Sequence, residues 1–360
     1  MDAELDPKDK ALLQDIQAFN REYAVSGWHL QDKLVKEDLS RIALRGSSMV
    51  SVMFQYTNWR SALLTDSEFT KVEFEQCSFV EAKLRGVVFR DCTFRVTSFA
   101  RATLTNCRFH NCKAEEWNAR AAKVEDCTFD SCEDSSGVFG DATLKNCSWK
   151  ECRWDNSSFY GATLQTVAIK GSHIDSVIFS EIHGSDLSFE DDTIQNCSFE
   201  DSRYGSLTFE RGSFRGVTFK AFHPQAVAIR NCARMEALTV RDSVWKGPSI
   251  DGCPSVIELM IDRSKMSDLV IERNQMMYFT LSRTEVSGDS RISECLLGGW
   301  DLEESTLRGT RIVNCTIGRY LKADGATLDG VTLTGIAYAA DLRRSLSGLK
   351  YLNGSAKLPG

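Results

Sequence analysis

Large apolar side chains recur at every fifth residue of this chain. From Leu39 to Ile229 one register reads Leu39, Leu44, Met49, Phe54, Trp59, Leu64, Phe69 and onward, and only Ala114, Ala119, Asp134, Gly184 and Pro224 break it. Most of the chain's 20 Phe fall in this register. Neither the 3.6-residue period of a helix nor the two-residue period of a strand produces such a pattern. Two residues before each large position the side chain is usually small, as at Ala62, Ser67, Val72, Cys77, Ala82 and Cys92, and the other positions are mostly charged, polar or glycine. Two inward residues per five, one small and one large, suit a narrow tube with a filled interior.

The register continues beyond Ile229 with four one-residue insertions, before Met235, Val256, Ile292 and Ala323, and ends near Leu333. Each insertion is expected to act like a β-bulge, a local disruption after which the ladder resumes. A longer period, twenty, runs through Cys92, Cys112, Cys132 and Cys152, and again through Cys107, Cys127 and Cys147. Twenty residues are four repeats. The expected architecture therefore has one repeat per side and four sides per coil, with like residues stacked on like about 4.8 Å apart. The tract then holds roughly fifteen coils and extends about 70 Å by the same spacing.

Segments such as Phe89-Arg90-Asp91-Cys92-Thr93-Phe94 and Gly161-Ala162-Thr163-Leu164-Gln165 resemble the pentapeptide-repeat family, over about Leu39 to Leu333. The resemblance implies an all-β fold, a right-handed quadrilateral β-helix; the handedness comes from the resemblance and not from the spacing. The sequence departs from the family's alanine–leucine pattern by favouring Cys and Phe in its first two-thirds.

We expect one β-helix over residues 31–337 without an internal domain boundary, a helical cap over 1–30, and a C-terminal helix and loose tail over 338–360. The open ends of a β-helix expose unpaired backbone, so caps are needed. Leu12, Ile16, Phe19 and Tyr23 share one helix face behind Asp6 and Pro7, with Trp28 packing beneath. Tyr338, Leu342, Leu346 and Leu349 also have helical spacing. That second helix either caps the tube or joins two copies in a homodimer.

The formal net charge is −7 with both signs interspersed, which excludes a basic nucleic-acid stripe. No apolar run is long enough to cross a bilayer. Met1 to Lys10 is charged and lacks a secretory core, so the expected location is the cytoplasm, with export by a signal-less secretion system left open. Thirteen Cys, an odd number, argue against a disulfide framework and for small buried hydrophobes. Cysteines five apart fall on different sides of a coil, and His29, His110, His173, His183 and His223 do not join them, so neither metal nor cofactor is expected. Trp117 stands in a small slot between Ala114 and Ala119, an exchange of volume within the core. No serine-nucleophile motif, phosphate loop or HExxH occurs, and the chain is expected not to be an enzyme.

Ile257 and Met277, twenty apart, fall outside the inward slots, as do Met260 and Tyr278. Exposed Met and Tyr suit an adaptable protein-binding surface. The chain is therefore expected to be a protein-binding scaffold or adaptor. The resemblance adds an association with bacterial type III or type VI secretion, as effector or accessory protein. It also implies an alternative, a DNA mimic that binds DNA gyrase, as in the family's quinolone-resistance members. One exposed row reads Arg90, His110, Asp130, Lys150, Lys170, Glu190, Glu210, whereas a DNA mimic needs a continuous negative stripe. This charge pattern favours the scaffold.

Overall fold

The computed structural model describes Pro7, Lys8, Ala11, residues 25–338 and residues 351–353. It is an all-β parallel solenoid of about 15 turns. By its internal contacts the chain forms two compact units, Met1–Phe179 and Ser180–Gly360.

In the first unit most strands are two or three residues long and pair in parallel with the strand one coil on. The register is the twenty expected, with Leu84 opposite Leu104 and Phe89 opposite Phe109. On the fourth side single bridges replace strands, as in Asn58 to Ser78 to Ser98 to Asn118. Parallel stacking sets ring on ring. Phe79 and Phe99 lie 4.6 Å apart and 5° from parallel, whereas Phe89 and Phe94 on adjacent sides meet at 5.4 Å and 71°. Both arrangements let the ring quadrupoles and the buried area stabilise the tube.

The small slots have their own chemistry. Cys92 Sγ donates to the Phe69 carbonyl at 3.2 Å, and Thr97 Oγ1 donates to the Phe74 carbonyl at 3.1 Å. A short donor thus ties each coil to the one beneath, which explains why Cys, Ser and Thr share this slot with Ala. The corners explain the polar third position. The residue two after a large one turns the chain with positive φ, as at Gly86 (φ 64), Asp91 (φ 54) and Asn106 (φ 54). Gly, Asn and Asp enter that region most readily.

Trp117 is buried, with ring centroids 5.3 Å from Phe99 and 5.6 Å from Phe109, and fills the volume that Ala114 and Ala119 leave. Asp134 occupies a large slot and is only 8% exposed. Gly137 has no room for a Cβ, which would lie 2.1 Å from Asp134 Oδ2. An interior cavity of about 20 Å³ is lined by Trp117, Asp134 and their aromatic neighbours.

The second unit repeats the plan with coils of two lengths. Ile229 faces Ile250 and Ile271 faces Ile292, one residue beyond twenty, whereas Met266 faces Val286 in the ordinary register. The insertions leave Met235, Val256, Ile292 and Ala323 buried. Leu333, at the far end, is half-buried. Two sides merge into the longer strands Val256–Asp262, Gln275–Ser282, Leu296–Asp301 and Thr316–Lys322. Glu258, Tyr278 and Gly299, at the corner position of these strands, are not among the positive-φ residues.

The ends differ from expectation. The ladder already includes Val25–Ser26, paired with Leu44 and Arg45, ahead of the boundary expected at 31. Pro7, Lys8 and Ala11 are helical. Leu12, Ile16, Phe19 and Tyr23 lie outside the described residues. Tyr338 does not begin a helix: it lies in the strand Ala337–Tyr338, opposite Ile317. Tyr351–Asn353 is also a strand, paired with Thr327–Asp329, so this part of the expected tail adds a rung. The reason is backbone satisfaction, since the last open rung offers unpaired N–H and C=O groups that an extended segment can meet. Leu342, Leu346 and Leu349 lie outside the described residues.

Candidate binding groove

The strands Val256–Asp262, Gln275–Ser282, Leu296–Asp301 and Thr316–Lys322 lie side by side. Val256, Met276, Leu297 and Ile317 stack inside the tube. The residue after each is outward: Ile257, Met277, Gly298 and Gly318. Ile257 is half-buried and Met277 is 42% exposed. The two glycines strip the surface to backbone, and Gly298 could carry nothing larger, because a Cβ there would lie 2.7 Å from the Met277 carbonyl oxygen.

Beyond Leu297 the ladder slips. Leu297 faces Ile317, but Gly299 faces Tyr320, so Gly318 and Arg319 together oppose Gly298. Missing side chains and this bulge leave an open cleft of about 380 Å³, lined by Ile257, Gln275, Met277, Leu296, Gly298 and Arg319 among others. Tyr278 and Tyr320 flank Gly299 in the ladder, and the Tyr320 ring lies directly over it. Desolvation, followed by the charge of Asp301, pushes the Tyr320 hydroxyl above its ordinary pKa, so it stays a neutral donor. Met277, Tyr278, Leu296 and Tyr320 are all exposed and sit on three successive strands. Clustered exposed apolar side chains beside polar ones mark interaction sites more often than scattered ones do.

Of the four residues singled out in the sequence, Ile257 and Met277 meet in the cleft, and Tyr278 stands one residue beyond Met277. Met260 does not join them. It lies past the corner, half-buried, and its Sδ accepts a contact from Arg241 Nη2 at 3.6 Å. Leu296, Gly298, Gly318, Arg319 and Tyr320 escaped the sequence reasoning. The visible signal was the pair Gly298-Gly299 followed by Gly318, where outward positions elsewhere carry long polar side chains.

The remaining surface is laced by ion pairs between coils. Lys145 meets Glu125 at 2.7 Å, Lys113 meets Glu133 at 3.2 Å, and Arg211 binds Glu190, Asp191 and Glu210. The cysteines are free thiols, buried except for the half-buried Cys132. Burial pushes the Cys77 thiol up to about 12 and the Cys147 thiol up to about 11.

Family models match within this tract: a pentapeptide repeat region at residues 102–179 and nine copies of pentapeptide repeats at 69–113. Residues 69–179 are thus pentapeptide repeats, and the same five-residue register runs on beyond them. Among solved structures, three are similar to the chain at low identity. HetL, a pentapeptide-repeat protein involved in heterocyst differentiation regulation in the cyanobacterium Nostoc, is 13% identical over 59% of this chain and 90% of its own, with a TM-score of 0.41. QnrB1, a plasmid-mediated fluoroquinolone resistance protein, is 18% identical over 49% of this chain and 83% of its own, with a TM-score of 0.38. The A-module of the mannuronan C-5 epimerase AlgE4 from Azotobacter vinelandii is 10% identical over 95% of this chain and 96% of its own, with a TM-score of 0.34. No curated protein matches the chain. Among the described residues, no helix is long and apolar enough to cross a membrane.

Proposed function

We propose that this protein is a non-enzymatic scaffold that captures another protein through the cleft on its second unit. The observation that carries this is exposed Met277 and Leu296 lining a cleft with Gly298 and Gly318, next to exposed Tyr278 and Tyr320 on either side of Gly299. Binding energy in protein interfaces concentrates in a few aromatic and adaptable anchors. Met can reshape itself to a partner, and the bare backbone of Gly298 and Gly318 lets an apolar side chain of that partner sit deep. We place this activity in the cytoplasm. The resemblance to secretion-associated members supplies its proposed setting, as an effector or accessory protein of type III or type VI secretion.

The alternative, a gyrase-binding DNA mimic, needs an unbroken negative stripe. The interleaved pairs Lys113–Glu133 and Lys145–Glu125 argue against it. The test is the double change Met277→Glu with Tyr278→Glu. Partner capture from native lysate is expected to disappear, the melting curve to stay nearly unchanged, and the wild-type protein to leave gyrase supercoiling intact. Capture that survives the change, together with inhibited supercoiling, favours the mimic.

A further inference from the structure

On the first unit the strands Arg153–Asp155 and His173–Asp175 are parallel neighbours, with Arg153 opposite His173 and Asp155 opposite Asp175. Trp154 and Ile174 between them are buried, so the four flanking residues project from the same outer side. One ligand atom from each of Asp155, His173 and Asp175 lies within 4.8 Å of the others, and all three residues are half-buried. Like charges on directly opposed rungs repel each other. Arg153 answers that repulsion: its Nε donates to Asp155 Oδ2 at 2.7 Å and its Nη2 to Oδ1 at 3.3 Å. Ser176 Oγ donates to Asp175 Oδ1 at 3.0 Å. Asp155 therefore already holds one cation, and Asp175 and an imidazole nitrogen stand beside it.

We propose that Asp155, His173 and Asp175 form a binding site for a divalent transition-metal ion. Two carboxylates and one imidazole suit zinc, cobalt or nickel better than calcium or magnesium, which prefer all-oxygen shells. Metal–ligand bonds of about 2.1 Å place tetrahedral ligands roughly 3.4 Å apart, so the three atoms draw together by up to about 1.4 Å when an ion binds. Water completes the shell on the open side. Arg153 is the built-in competitor. Its side chain is 56% exposed and can swing into solvent when an ion displaces it from Asp155.

The test is titration of the metal-free full chain with Co²⁺, followed by calorimetry and visible absorption. One ion per chain is expected, with a spectrum of oxygen and nitrogen ligation. His173→Ala and Asp175→Asn each weaken binding by about tenfold or more. Arg153→Gln, which removes the competing cation, strengthens it. Melting curves of the metal-free variants check that each is folded. No binding by the wild type at millimolar Co²⁺, undiminished binding in folded His173→Ala, or a thiolate-to-cobalt absorption band each overturns the site.

Discussion

Ser157 Oγ donates a hydrogen bond of 2.7 Å to Asp134 Oδ2 inside a tube whose neighbouring large slots hold aromatic rings. The other carboxylate oxygen, Oδ1, is buried without a hydrogen-bond partner. Desolvation pushes the Asp134 carboxyl up to about 6 from an ordinary 3.8. The folded protein therefore holds this proton more tightly than the unfolded chain does. Stability from this group is full below about pH 4 and is lost as pH rises through about 6, by up to roughly 3 kcal/mol. Asp134→Asn mimics the protonated form. Urea unfolding should find the variant and wild type alike near pH 4, with the variant more stable above pH 7. Parallel pH profiles would contradict the buried-carboxylate account.

Val96 turns a corner at φ 49 with a β-branched, half-exposed side chain, where the two corners before it use Gly86 and Asp91. The left-handed region costs such a residue about 1–2 kcal/mol. Asn tolerates it better without the backbone entropy of Gly. Val96→Asn should raise unfolding free energy by about 1 kcal/mol in denaturant titration; a loss of stability would show that the Val96 side chain contributes packing at the corner.

The ladder thiols should be inert in the native state. Cys112 and Cys152 are buried, and each Sγ donates to a carbonyl of the coil beneath, at 3.5 Å to Phe89 and to Phe129 respectively. A charged thiol reagent at about pH 8 should modify them only after denaturant is added, because the thiolate is the reactive form. Rapid native modification of either residue would mean that the small slots open.

The five-residue register was legible because a filled tube imposes inward and outward positions whatever the local propensity. Its insertions were legible too, since Met235, Val256 and Ile292 resume the pattern and are buried. Helical spacing misled at Tyr338, where an open rung outweighs the i, i+4 pattern of Tyr338 and Leu342. Met260 was grouped with Met277 because a linear period does not show which side of a corner a residue falls on. Leu296 and Tyr320 were hidden by the same slips, which change the outward face near Gly298. Asp155, His173 and Asp175 form no linear motif, because Asp155 and Asp175 stand one coil apart and the three come together only across one rung.

If the cleft is the contact surface, site-specific photo-crosslinking will report the partner there. A photoreactive residue replaces Leu296 at the cleft lip or, as control, Leu63, which is 42% exposed on the first unit. One protein partner is expected to crosslink from position 296 and not from 63. Excess unlabelled wild-type protein should compete it away, whereas the Met277→Glu, Tyr278→Glu protein should not. The same partner crosslinked from 63 but absent from 296, or equal competition by the two proteins, would contradict it.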